Sequence, residues 1–476
     1  MGFRPFVFKL ACHFSIAGTV TNTSEGVVIQ AAGPQIFSFI EALSSEAPPL
    51  AKIEALFHRP LEKRLQADSF TIVASRSGAS SRANIPPDIS VCQDCFEELT
   101  DPADRRFGYP FINCTNCGPR FSIIETIPYD RPKTSMKDFA MCGACSREYL
   151  DPMNRRFHAQ PNACPACGPA ISLHDSQGRP LKSADVVAAA ITAIIQNKVL
   201  AIRGLGGFHL CVSGCSAAAV TTLRDRKNRP DKPLAIMVKD LLQAEKLCVL
   251  DDQEKRTLNS PQHPIVLLKP RPDSPLAPNL APEMSDIGLM LPYPPLHHLL
   301  FAQPDCPAAL VMTSGNISGE PICTSNDEAL DRLAGIADLF VLHNRDIVTR
   351  VDDSVVKRVA GEVRAFRRAR GYAPEPLHIS QKLPEFIGCG GGLKSSFSLA
   401  RSTSIYPSQH IGDLFNTTSL SFYSESVDNL KRLYEIEPVA AACDLHPDYL
   451  SSHFAVELGL PLYKIQHHHA HAAAVM

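Results

Sequence analysis

The sequence has almost no excess of charge of either sign: 47 lysines and arginines stand against 49 aspartates and glutamates, a formal net charge of −2. That excludes the global basic field that drives phosphate-backbone binding and makes nucleic acid an unfavoured partner. No apolar run approaches the roughly 20 residues of a membrane span. The first residues lack the basic-then-apolar pattern of a secretory signal. Met1-Gly2 opens no myristoylation signal either, because the sixth residue is Phe6 rather than Ser or Thr. A cytoplasmic protein with no membrane partner is expected. A P-loop and a correctly spaced dinucleotide fingerprint are also missing; Gly204, Gly206 and Gly207 cluster in RGLGGFHL, where they permit close backbone approach and no more.

What the chain does have is length and cysteine. Its 476 residues, 45% hydrophobic and 20% charged, have an ordinary globular composition. At roughly 150 residues per domain they predict three or four domains. Sixteen cysteines without a secretory signal predict metal sites before disulfides. Eight lie in four C-x-x-C pairs between Cys92 and Cys167. Cys12, Cys211, Cys215, Cys248, Cys306, Cys323, Cys389 and Cys443 are scattered through apolar contexts, where core packing is expected.

The eight clustered cysteines belong to an internal repeat. CQDCFEELTDPADRRFGYPFINCTNCGP begins at Cys92 and CGACSREYLDPMNRRFHAQPNACPACGP at Cys142, fifty residues on. Each copy has two C-x-x-C pairs separated by eighteen residues, with Asp-Pro and Arg-Arg-Phe between them. Four thiolates suit tetrahedral zinc, and two C-x-x-C turns close one site. The simplest assignment puts one zinc on Cys92, Cys95, Cys114 and Cys117 and a second on Cys142, Cys145, Cys164 and Cys167; an interleaved pairing satisfies the same count. With four protein ligands each, neither metal has an open position, so both are expected to be structural. Redox pairs do not come as four evenly repeated motifs, and the Cys-Cys-His-His set of a DNA-reading finger is absent.

The flanking segments carry chemistry. In the N-terminal 75 residues, alternation around Val20, Val27, Val28 and Ile29 and a helix near 35–43 predict a small α+β unit. The run GFRPFVFKL, with Asn22 eighteen residues after Arg4 in GTVTNTSEGVV, resembles the acylphosphatase family. That resemblance implies that Arg4 holds a phosphate and Asn22 orients the attacking water, as an arginine fork and a neutral amide can. The family's first strand and half of its phosphate loop would precede residue 1, so weak or no acylphosphatase activity is expected of this chain.

From Gly168-Pro169 an α/β unit is predicted, with a helix over 186–196 feeding a strand into the glycine turn. LRDRKNRPDKPLAIM, GLMLPYPPLHHLL, MTSGNISGEP and HNRDIVTRVDDSVVKRVAG follow in order, and together they resemble the YrdC-type threonylcarbamoyl-adenylate synthases. The resemblance implies that Lys227, Arg229 and Lys232 lie near ATP phosphates, that Thr313, Ser314 and Asn316 line the nucleotide and carbonyl pocket, and that Asp352 and Asp353 help hold Mg²⁺. Acyl-adenylate chemistry requires such cations and donors. RGLGGFHL replaces that family's Thr-rich segment, which favours a smaller acyl group such as carbamoyl; His209 faces the same pocket in this reading.

From about residue 384, GCGGGLKSSFSLA, HIGDL, DLHPDYLSS and QHHHAHAAAVM resemble the start of the actin-like ATPase fold of the universal tRNA threonylcarbamoyl-transferase family. Gly390, Gly391, Gly392 and Lys394 would form a phosphate-contacting hairpin. His467 and His471, four apart on a helix, share a face suited to one zinc or iron ion. The family's remaining ligand, an Asp, would lie beyond Met476.

The fold class expected is therefore multidomain α/β and α+β: an incomplete acylphosphatase-like sandwich over 1–75, a duplicated four-cysteine zinc-finger module over 88–170, a YrdC-like domain over 171–380, and the beginning of an actin-like ATPase fold over 384–476. In that order, with cysteine spacing 2-18-2-24-2-18-2, the segments resemble the HypF carbamoyltransferase family of [NiFe]-hydrogenase maturation. The resemblance implies hydrolysis of carbamoyl phosphate, formation of carbamoyl-adenylate with ATP, and transfer to the C-terminal cysteine of HypE on the way to cyanide ligands. A tRNA threonylcarbamoylation enzyme shares only the last two segments, and a non-enzymatic zinc scaffold only the repeat.

Overall fold

The computed structural model describes residues 2–23, 26–48, 51, 53, 55–61, 65, 67–73 and 85–476. Three sheets organise these residues. The first has three strands: Ala17–Thr23 pairs antiparallel with Gly26–Ala32 and parallel with Phe70–Ile72. The helices Phe3–His13 and Ile36–Ser45 bury Val7, Leu10, Phe39 and Leu43 against Val20 and Phe70. Pro5 falls in the first turn of the opening helix, where its missing N–H costs nothing. Cys12 corrects the expectation of core packing: it is exposed near the end of that helix.

The middle unit is a 12-stranded mixed sheet of short strands. The central strands Leu200–Arg203 and Phe208–Ser213 are buried throughout, and alternate residues feed two different cores: Val199, Ala201, Leu210 and Val212 join one, Leu200, Ile202 and Cys211 the other. With a side-chain period of two, both faces are covered. The helix Val186–Ile195 is capped by the Asp185 carboxylate, which accepts from Val187 and Ala188 N–H. The helix Ala217–Lys227 starts on the Ser216 hydroxyl and stops at Asn228, whose left-handed backbone (φ 48°) is one that asparagine tolerates. At the glycine turn the close approach is internal, because a Cβ on Gly206 would lie 2.4 Å from the Val351 carbonyl.

The C-terminal unit is a four-stranded sheet in which the long hairpin Leu377–Gly388 and Ser398–Pro407 is extended by Ala440–Asp444 and Leu462–Ile465, both parallel additions. The helix Thr417–Tyr434 covers it. Its core also takes in Ile85, Phe121, Ile124 and Val351, so apolar burial ties this unit to the zinc module and the middle unit.

Candidate metal centres and nucleotide site

In each repeat the first Cys caps a short helix, Cys92 for Gln93–Thr100 and Cys142 for Gly143–Leu150, placing the second Cys in the first turn. Asp101 and Asp151 end those helices before a proline, each accepting from the N–H two residues on. The sulfurs converge as two separate sets. In the first, Cys92–Cys114, Cys114–Cys117 and Cys117–Cys95 are 3.6, 3.8 and 3.5 Å apart. In the second, Cys142–Cys164, Cys164–Cys167 and Cys167–Cys145 are 3.7, 3.7 and 3.6 Å apart. A tetrahedron of Zn–S bonds near 2.3 Å has edges of about 3.8 Å. Both donor sets therefore fit structural zinc, pairing is within each copy, and the interleaved alternative is excluded.

The Arg-Arg-Phe run, whose role sequence reasoning missed, crosses between the copies. Arg105 and Arg106 of the first pair with Glu148 of the second at 2.7 and 2.5 Å, and Arg105 Nη2 lies 3.3 Å from Cys145 Sγ. Reciprocally, Arg155 and Arg156 pair with Glu98, and Arg155 Nη1 lies 3.0 Å from Cys95 Sγ. Arg106 is buried and also donates to the Ala163 carbonyl and to Asn162 Oδ1. Four thiolates on Zn²⁺ leave a site with net negative charge, and each copy's arginines supply the other's counter-charge. Burial works to raise the Glu148 carboxyl, but Arg106 and Arg105 bring it down to about 2. The signal was in the repeat: a Glu sits six residues after the first Cys in both copies.

In the middle unit, the buried Lys227 ends its helix aimed at the 313–316 turn. Its Nζ donates to the Ser314 carbonyl (2.7 Å), the Asn316 carbonyl (2.6 Å) and Asn316 Oδ1 (2.7 Å). Burial, with Arg229 nearby, pushes this lysine down to about 7. The Ser314 hydroxyl also donates to Asn316 Oδ1, and Thr313 is buried on the strand Leu310–Ser314. Arg229 donates to the Pro233 carbonyl, and burial with Arg367 and Arg224 lowers it to about 10. Lys232 is exposed. Lys227, Thr313, Ser314 and Asn316 thus gather around one turn, with Arg229 close enough to act on Lys227, while nothing ties the exposed Lys232 side chain to that turn.

Asp353 corrects the Mg²⁺ expectation. It is buried, with Arg370 Nε 2.7 Å from one oxygen and His209 Nε2 3.0 Å from the other. Burial favours its protonated form, yet Arg370 and His209 hold it well below the usual carboxylate range. Both oxygens are spent, so it does not fit a magnesium ligand. His209 likewise serves this buried pair. Asp352 faces outward toward Lys227 and Arg229 and also toward His410 of the C-terminal unit, which burial and Arg367 push down to about 4. Asp413 and Lys394 face the same histidine, so charged groups from both units meet along one polar seam.

In the C-terminal unit the glycine hairpin and the histidines come together. Gly390 has φ 68°, and a Cβ there would lie 2.2 Å from the Ser396 carbonyl; glycine is required. Lys394 N–H donates to Asp413 Oδ1 at 2.7 Å. His467 and His471 lie on the helix His467–Ala473 with Nε2 atoms 3.0 Å apart. Asp444 Oδ2 holds His467 Nδ1 at 2.5 Å, which leaves Nε2 for an ion, as carboxylates do behind metal-binding histidines. A Cβ added at Gly391 of the hairpin would lie 3.4 Å from the His467 ring. At the other end of the chain, Arg4 lies in the first turn of its helix, 3.5 Å from the Val73 carbonyl and within electrostatic reach of Asp130. The Asn22 backbone pairs with Val27; its side chain lies outside the described residues.

These parts define a class: an acylphosphatase-like unit, a pair of four-cysteine fingers, a YrdC-like α/β unit and a Kae-type fold joined in one chain. Family models match each in turn: acylphosphatase over 1–72, the HypF finger over 91–124 and 141–174, the family described as telomere recombination over 192–369, and the HypF Kae1-like domain over 381–476. The chain belongs to the HypF family. All of it aligns with carbamoyltransferase HypF2 of Cupriavidus necator at 45% identity and carbamoyltransferase HypF of Synechocystis at 46%, covering 62% of each. It spans somewhat less than two thirds of the length of these curated relatives. A crystal structure of full-length HypF in the phosphate- and nucleotide-bound form superposes with a TM-score of 0.91 at 45% identity, over 99% of this chain and 62% of that one. The T. kodakarensis HypF structure gives 0.89 at 39% identity, over 99% and 61%.

Proposed function

We propose that this chain performs the ATP-dependent part of carbamoyl transfer in [NiFe]-hydrogenase maturation. The four segments expected from sequence, 1–75, 88–170, 171–380 and 384–476, divide the work. Arg4 and Asn22 belong to the step that hydrolyses carbamoyl phosphate to carbamate and phosphate. A carbamate oxygen then attacks the α-phosphorus of ATP, expelling pyrophosphate and leaving carbamoyl-adenylate. Finally, the C-terminal thiolate of a HypE-type acceptor attacks the carbamoyl carbon and expels AMP.

In this reading Lys227 fixes the turn of Ser314 and Asn316 so that their polar groups meet the mixed anhydride, while Arg229 and Lys232 meet the triphosphate. Asp352 is the carboxylate left to support Mg²⁺, which would screen the phosphate charge. His467 and His471 would hold a zinc or iron ion beside the Gly390–Gly392 hairpin. The observation that carries the proposal is the polar seam: Arg367 and Asp352 of the adenylating unit face His410, which Asp413 and Lys394 of its own unit also face, and this suits an unstable intermediate handed over without release.

The test is AMP and pyrophosphate formation from ATP by this chain, with carbamoyl phosphate, ammonium carbamate or threonine plus bicarbonate as co-substrate. Carbamate is expected to support the reaction and threonine not to. Lys232→Ala should lower turnover by about 10²-fold. Turnover with threonine plus bicarbonate but not with carbamate would assign the chain to tRNA threonylcarbamoylation; no turnover and no ATP binding would leave a zinc scaffold.

A further inference from the structure

Between the zinc module and the middle unit lies a cavity of about 30 Å³, lined among others by Phe111, Arg203, Gly204, Tyr293, His343 and Arg345. That is room for about two waters or one anion of three or four heavy atoms. Its walls hold two buried cations. Arg345 is 5% exposed; its guanidinium lies 5.1 Å from the centre of the Phe111 ring, and its Nε–H has no acceptor among the described residues. Arg203 is 3% exposed. Its Nη1 donates to Asn326 Oδ1 and to the His343 carbonyl, while its Nε–H also lacks an acceptor among the described residues.

Among the described residues no buried carboxylate is free to balance this pair. Asp88, the carboxylate closest in effect to Arg345, already accepts from Arg120 N–H and from Ser122 N–H and Oγ–H. Asp346 stands 3.7 Å from Arg203 and is itself largely in solvent. Two buried guanidiniums that repel each other are costly to fold unless something negative joins them.

We propose that this cavity binds a small planar oxyanion, of the size of formate, bicarbonate or carbamate, between the Nε–H groups of Arg203 and Arg345. Two guanidinium donors converging on one carboxylate-like group give the bonds that both arginines lack. The site follows from the buried charges alone and does not depend on the reaction proposed above. Its position deepens that reading. Arg203 pairs with Phe208, and His209 with Ser314, so the ends of three adjacent strands bring the cavity within two strand spacings, about 10 Å, of the Ser314 turn. On that reading the anion is the one-carbon substrate waiting beside the nucleotide.

The experiment uses the zinc-loaded full chain. Formate and bicarbonate are each titrated against chloride and phosphate at matched ionic strength, following the thermal midpoint and the ¹³C line of labelled formate. The expected result is saturable formate broadening, competed by bicarbonate, with a midpoint raised by about 2–4 °C. Arg345→Met should lose both responses and, without added anion, be no less stable than the parent. An equal response to chloride and phosphate would overturn the site, as would a response surviving in Arg345→Met. Should that variant fail to fold, a crystal structure of the parent grown in formate decides: density bridging the two guanidiniums supports the site, and water alone refutes it. A site confirmed here while carbamate fails to drive AMP formation would leave the anion site standing and the reaction refuted.

Discussion

The two fingers have the same ligand spacing and nearly the same sulfur geometry, yet they occupy different places in the protein. In the first, Cys95, Cys114 and Cys117 are fully buried, and the second knuckle is gripped by Arg120, which donates to the Cys114 and Thr115 carbonyls. That knuckle also bridges Ile89 to Gly118, and Val91 N–H reaches the Tyr293 carbonyl of the middle unit. In the second, Cys142 and Cys167 are only half-buried, and the chain leaves directly into the strand Ile171–Asp175 near the sheet's edge. Equal coordination therefore does not imply equal consequence. The surroundings decide how far the loss of a metal spreads.

The sharpest test of that contrast is Cys114→Ser against Cys167→Ser. Structural zinc in small domains contributes about 10–16 kcal/mol, comparable with the whole stability of a domain. Cys114→Ser should abolish soluble folding of the module and its docking on the middle unit before it impairs ATP binding. Cys167→Ser should retain the first zinc and most of the fold, as metal analysis and calorimetry would report. Equal losses would break the comparison. Next comes Arg106→Met, which strips a buried guanidinium from Glu148, Asn162 and the Ala163 carbonyl and should cost about 3–5 kcal/mol in denaturant unfolding. Adding Glu148→Gln should recover part of that loss, because the partner charge goes too.

Acid is a milder probe. Since Glu148 is depressed to about 2 in the folded chain, its contribution is complete above the ordinary glutamate value near 4.5 and is lost as pH falls from there toward 2. The parent should therefore lose stability across that window more steeply than Glu148→Gln, measured by unfolding midpoint against pH. At the bottom of the scale, Lys137→Ala removes an exposed partner of Glu125 and should leave the midpoint unmoved.

Much of the architecture was legible in the sequence because it rests on local patterns. The C-x-x-C spacing, the alternation near Val20, the helix over 186–196 and the order of the motifs are all readable along the chain. What was not legible is contact across the fold. The spacing left the zinc pairing open, and nothing in a linear repeat says that Arg105 and Arg106 serve the other copy. Asp352 and Asp353 look alike as neighbours, but in the segment just before the strand Val355–Val359 one is left half-buried and the other is buried against Arg370. Lys227 was recognisable as a cation of the site; that its three protons are held by the Ser314 and Asn316 turn depends on where a helix ends.

The crossed arginines give the duplication a further meaning. A cage whose counter-charge belongs to its neighbour feels what happens next door. Emptying the more exposed second cage should leave the first zinc in place but bound less tightly than in the parent, because the Arg155 and Arg156 that face it are then less well held. Two copies of a motif thus act as coupled parts of unequal weight.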